Sequence, residues 1–192
     1  MTATLPTAPP SSRLLTIADM AALPALLPSG NVRYELFDGR LVIMAPPGGF
    51  HGLGQAQVVS ELVVQGDHAG HGRAYGEVGI VLSRDPDSLY APDAAFICKS
   101  SLPAVFSKEG YLETIPQLIV EVRSKNDSQP EINAKVADYL AAGVVAVWVL
   151  DPVRKTVVEH RAEGTKTFKS GDDLAIADLI PGFTAPVARL FG

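Results

Sequence analysis

A single cysteine, Cys98, rules out an internal disulfide framework and leads us to expect a reducing compartment, the cytoplasm. Basic residues are also scarce, with 16 Lys and Arg against 21 Asp and Glu and a net charge of −5. Proteins that coat nucleic acid without regard to sequence are normally basic, so this balance argues against such binding and permits only a local basic patch. Long apolar runs are missing. The longest, Val144 to Leu150, is far short of the ~18 residues that span a bilayer, so no membrane association is expected. No basic segment precedes an apolar stretch near the start, so a secretory signal is not expected either. The chain also lacks a Gly-x-Ser-x-Gly elbow, a Gly-x4-Gly-Lys phosphate loop and a Cys-x-x-Cys pair.

What is present is enough for one globular domain: 192 residues, 47% of them hydrophobic. Residues 1–13, rich in Pro, Thr, Ser and Ala, read as a disordered lead-in, and 14–192 as the single domain. Thr16 followed by Asp19 predicts an N-capped short helix ending near Pro24. Asp38-Gly39, between Tyr34–Phe37 and Leu41–Met44, predicts a hairpin. Gly48 to Gly54 reads as a flexible glycine-rich loop, and residues 53–65 as a helix broken by Gly66 to Gly72. Strands are expected over Ala74–Leu82, Ala94–Cys98, Leu118–Val122 and Val144–Leu150, with Thr156–His160 pairing back. Between the third and fourth, Ser128-Gln129-Pro130-Glu131 has capping-box spacing, Ile132, Val136, Tyr139 and Leu140 form an apolar stripe, and Gly143 is the stop. The fold class is therefore α/β or α+β with one central sheet, containing a β-α-β unit over 118–150.

Two carboxylates stand out. Glu121 sits inside the nearly continuous apolar run Gln117–Arg123, where a buried charge costs several kcal/mol unless it is paired or metal-bound. Alternatively, Glu121 shares an exposed face with Arg123. Asp93 opens another apolar strand, a place where a turn aspartate is common. Two acids at the ends of neighbouring strands would suit Mg²⁺, which takes oxygen ligands and keeps several waters. A lysine could then activate or orient a water against a phosphate. Lys135 is the candidate for that role and Lys125 its competitor. A silent pair with Glu131, one helical turn away, is the ordinary reading of Lys135. The histidines His68 and His71 lie among glycines and read as solvated loop.

Taken in order, several segments are recognisable. They are Tyr34–Gly39, Ala91–Phe96, Ile119–Ser124, Lys135 with Tyr139–Val144, Trp148–Pro152, Leu179–Phe183 and Leu190–Gly192. Over residues 14–192 that order resembles the bacterial Uma2 family (DUF820), restriction-endonuclease-like members of the PD-(D/E)xK nuclease superfamily. The resemblance implies a restriction-endonuclease-like core, a central mixed β-sheet flanked by helices, with an N-terminal helix and hairpin. It also implies phosphodiester hydrolysis dependent on Mg²⁺ or Mn²⁺. Asp93 and Glu121 match the family's metal-binding acids, and Glu35 and His51 match further acidic and histidine positions. Left to themselves, Glu35 reads as a hairpin surface charge and His51 as a helix-start residue. The superfamily pattern places a lysine two residues after the second acid. Here that position is Arg123, and the lysine is shifted to Lys135 on the following helix. Arginine stays protonated, so it can bind phosphate but is a poor base.

The expected function is a metal-dependent endonuclease acting on DNA with low sequence specificity. Asp93, Glu121 and Glu35 would hold the ion, Lys135 would serve the water, Arg123 would steady the phosphate, and His51 would shuttle a proton or touch substrate. The alternatives are a catalytically inactive nuclease-fold module that binds nucleic acid or protein, and a metal hydrolase for another phosphoester. A homodimer is expected from the positive mean hydropathy of +0.18 in so small and acidic a chain.

Overall fold

In the computed structural model, residues 13–24, 26–27, 30–44, 46–105, 110–125 and 127–192 are described. The lead-in expected over 1–13 lies outside them apart from Arg13, whose guanidinium pairs with Asp19 at 2.7 Å. Thr16 caps helix α1 (Ile17–Met20), and Asp19 completes the capping box. The helix is one turn long and stops short of the expected Pro24. After the short strands β1 (Leu26–Leu27) and β2 (Gly30–Asn31), the expected hairpin forms from β3 (Arg33–Phe37) and β4 (Arg40–Met44). Its turn residues Asp38 and Gly39 both have positive φ, 48° and 72°, the geometry that matches the twist of paired strands. A Cβ at residue 39 would also lie 2.6 Å from that of Leu14, so glycine is required twice over.

Helix α2 (Gly49–Leu62) begins earlier than the sequence suggests and runs into one π-helical turn, Val63–Asp67. The expected glycine-rich loop is therefore corrected. Gly49, Gly52 and Gly54 are helical, because burial of Gly54, Val58 and Leu62 outweighs the low helix propensity of glycine. The single strand expected over 74–82 is likewise two, β5 (Gly72–Gly76) and β6 (Ile80–Ser83), in different sheets. Strands β7 (Ser88–Tyr90), β8 (Ala94–Cys98) and β9 (Leu118–Val122) follow, then helix α3 (Gln129–Ala141). Ser128 and Glu131 form the predicted capping box of α3, and Gly143 ends that region with φ of 101°. The remaining strands are β10 (Ala146–Asp151), β11 (Thr156–Arg161), β12 (Gly164–Lys169), β13 (Asp173–Ala175) and β14 (Thr184–Pro186).

Six strands build the central mixed sheet in the order β12-β11-β10-β9-β8-β5. Only β9 and β10 are parallel, joined through α3 as the β-α-β pattern requires. A second sheet, β4-β3-β7-β6, carries the N-terminal hairpin. Alternation along β9 divides the core. Leu118, Val120 and Val122 pack with Val58 and Leu62 of α2 and with the C-terminal Leu190 and Phe191. Ile119, with Val147 and Val149 of β10, packs against Ile132, Val136 and Tyr139 of α3. Gly72 lets β5 approach closely, since a Cβ there would come within 2.1 Å of the Ile97 carbonyl. Among the described residues no helix is long and apolar enough to cross a membrane.

Candidate active site

The period-two geometry of β9 sends Glu121 to the same side as Ile119, toward α3, two residues beyond the last apolar contact on that face. The register Ala94↔Val120, continued by one residue, sets Asp93 opposite Glu121. The two carboxylates therefore come from the facing ends of adjacent strands, as their strand positions suggested. Asp93 is anchored there, because its Oδ2 accepts the backbone N–H of Val122 at 2.7 Å. Glu35 arrives from β3 and is 1% exposed. It is thus no hairpin surface charge, and its Oε1 accepts the N–H of Ala91 at 2.8 Å.

Lys135 joins these groups. Its Nζ lies 2.9 Å from Glu35 Oε2, 3.1 Å from Glu35 Oε1 and 3.5 Å from Glu121 Oε1. The ordinary pairing of Lys135 with Glu131 is overturned, since Glu131 turns back to cap the helix through Ser128. His51, from the first turn of α2, sets Nε2 3.1 Å from Asp93 Oδ2, while its Nδ1 is buried with no hydrogen-bond partner among the described residues. Arg123 is held apart from this cluster. Its guanidinium donates to Gln129 Oε1 at 3.0 Å and the Asp127 carbonyl at 3.3 Å, and lies 3.7 Å from Asp151. Lys125 is exposed.

Electrostatics follow from this crowding. Burial, joined by the charges of Asp93 and Glu35, pushes the Glu121 carboxyl up to about 7 against the opposing pull of Lys135 and Tyr139. Burial would lower the Lys135 pKa, but the charges of Glu121 and Glu35 raise it well above the ordinary lysine value. Burial likewise opposes protonation of His51, yet the hydrogen bond and charge of Asp93 raise its pKa overall. Three acids thus share one ammonium and one imidazole, a net demand for further positive charge.

Among the described residues no three His, Cys, Asp or Glu groups form a ready-made metal cluster. Mg²⁺ does not require one, since one or two carboxylates commonly hold it and water supplies the other oxygens. The hard oxygen donors of Asp93 and Glu121, with Glu35 beside them, fit that mode of binding.

The sequence reading missed Tyr139 as a polar group. Its ring belongs to the apolar stripe of α3 and is fully buried there, but its hydroxyl donates to Glu121 Oε1 at 2.6 Å. Spacing held the signal, because Tyr139 follows Lys135 by four residues and shares its helix face. Tyr90, edge-on to Tyr139 with ring centroids 5.4 Å apart, donates to Asp138.

A family model described as "Uma2: Putative restriction endonuclease" matches residues 18–188. No curated protein matches the chain. A crystal structure of "a putative nuclease belonging to DUF820" from Anabaena variabilis ATCC 29413 superposes with a TM-score of 0.75 at 20% identity. The alignment covers 92% of this chain and 97% of that one, so the two share a fold.

Proposed function

The chain belongs to the Uma2 family, and on that premise we propose that it is an endonuclease hydrolysing phosphodiester bonds in DNA with Mg²⁺ or Mn²⁺. One observation carries the reading: Lys135 meets Glu35 and Glu121 on the side of the sheet where Asp93 faces Glu121. Buried charges gathered from four distant segments cost stability and are commonest where chemistry is done.

In this reading Asp93 and Glu121 hold the divalent ion, with Glu35 helping directly or through water. When bound, the ion supplies Lewis-acid polarisation of a phosphoryl oxygen and a more acidic water. Lys135, held between its two carboxylate neighbours, orients or activates the attacking water. His51 holds a proton at Nε2, shared with Asp93, and is placed to pass it on. Arg123, braced at the start of α3, offers a fixed positive charge to a phosphate near the strand end. The chain works as a single domain, as a homodimer and in the cytoplasm, with DNA bound transiently because so few cations are available.

The test is nicking of supercoiled plasmid by purified protein in Mg²⁺, Mn²⁺ and EDTA. Cleavage that needs metal and falls by at least ~10²-fold in Asp93→Ala and Glu121→Ala is expected. A second reading, an inactive nuclease-fold module, draws support from Arg123, which replaces the superfamily's lysine and spends its donors on Gln129 and Asp127. DNA retention without cleavage under every metal condition would favour it.

A further inference from the structure

Building on the metal-dependent reading, we propose that Tyr139 is a positioning residue, its hydroxyl fixing the Glu121 carboxylate so that Oε2 is the oxygen presented to the cation. Tyr139 is fully buried and its hydroxyl donates to Glu121 Oε1 at 2.6 Å. Lys135 Nζ approaches the same oxygen, at 3.5 Å. Among the described residues no hydrogen bond or ion pair engages Oε2, and the Glu121 side chain keeps 17% of its surface exposed. Both partners come from one face of α3, so the helix addresses one oxygen and leaves the other.

A glutamate side chain otherwise has three torsions to arrest. Holding one oxygen from a rigid helix removes that freedom before a cation arrives. The ring that carries the hydroxyl is itself immobilised, packed among Ile119, Ile132, Val136 and Val147 with Tyr90 against it. Partners of this kind behind a metal ligand typically change metal affinity by about 10–100-fold when removed.

Tyr139→Phe keeps the buried ring and deletes only the hydroxyl. Mn²⁺ affinity, read from the metal-induced rise in melting temperature, should fall by about 10–100-fold. Plasmid cleavage should lose kcat at limiting Mn²⁺, recover at high Mn²⁺ and keep its KM for DNA. Tyr90→Phe is the control, since it deletes the neighbouring hydroxyl, which serves Asp138 and not Glu121. It should retain wild-type Mn²⁺ affinity. Equal affinity in Tyr139→Phe and wild type, or the same loss in both variants, would overturn the proposal.

If Tyr139→Phe does not fold, 3-fluorotyrosine placed at position 139 of the otherwise native chain gives the second readout. Its fluorine resonance should move on Mg²⁺ addition and saturate with the thermal shift, and an unmoved resonance would overturn the proposal. Wild type without any metal-induced shift or metal-dependent cleavage would instead remove the nuclease reading on which the role of Tyr139 depends.

Discussion

Lys135 and Glu35 form a nearly buried ion pair, with Nζ 2.9 Å from Oε2, although a hundred residues of chain separate them. Their side chains are 17% and 1% exposed. The lysine is thus part of the interior that joins α3 to the N-terminal hairpin. Removing it strands Glu35 and uncovers Glu121 at once.

Lys135→Ala should therefore reduce both activity and stability. Loss of one partner of a buried pair costs about 3–5 kcal/mol, which urea unfolding would register as a lower midpoint. Cleavage should fall by at least ~10²-fold under conditions where the variant remains folded. Lys125→Ala, an exposed change just past β9, should do neither. A large activity loss in Lys125→Ala with near-native activity in Lys135→Ala would reverse the assignment.

Glu121→Gln should leave the metal-free protein at least as stable as wild type. The substitution removes a charge that burial disfavours, and the amide oxygen can still accept from Tyr139. Metal linkage should be lost in the same variant. Wild type at a hundredfold excess of Mn²⁺ over Kd should gain about 2.7 kcal/mol, and Glu121→Gln far less. Calorimetric melts in EDTA and in millimolar Mn²⁺ check both halves. A strongly destabilised Glu121→Gln in EDTA would mark the carboxylate as structural.

Acid should weaken the fold partly through Asp151. Burial alone would raise its pKa, but hydrogen bonds from the Arg154 N–H and guanidinium and the Val153 N–H hold it below the usual 3.8. A carboxylate with a depressed folded pKa contributes stability above its unfolded value and loses it as pH falls through the folded one. Asp151→Asn should thus cost about 1–2 kcal/mol at pH 6, and the gap to wild type should narrow below about pH 4. Urea midpoints at pH 6, 5, 4 and 3 measure this. A gap that stays constant would assign the cost to packing.

Sedimentation at micromolar concentration should show a dimer. Exposed apolar side chains on the edge strand β4 and the start of α2 support pairing, Ile43 at 53% and Phe50 at 80% exposure among them. A monomer throughout that range would remove the proposal.

Much of this architecture was legible in local patterns. The Asp38-Gly39 turn, the Ser128–Glu131 box and the apolar strands around Glu121 each depend on a few adjacent residues, and each stands as expected. The glycine-rich start of α2 was not legible, because its helicity comes from tertiary burial against Val122 and the C-terminal segment. Strand β12, exposed at every position except the buried Phe168, carries too little apolar pattern to be read alone. At the candidate site, strand pattern singled out Asp93 and Glu121, and helix phase singled out Lys135. The partners of Lys135 could not be found that way, since both lie far from it along the chain. A local pair with Glu131 was the nearer choice, and the capping box had already claimed that glutamate.

The hairpin that carries Glu35 belongs to the smaller sheet, while the other acids and the lysine stand on or beside the larger one. Assembly of the whole cluster therefore waits on long-range closure between the two sheets. A growing chain that has made β3 through β9 but not α3 holds the acids without their ammonium. One clipped after β4 keeps every strand of the larger sheet and loses Glu35. Either fragment would have an incomplete charge set, so any chemistry done there is withheld until α3 and the hairpin have both joined the larger sheet.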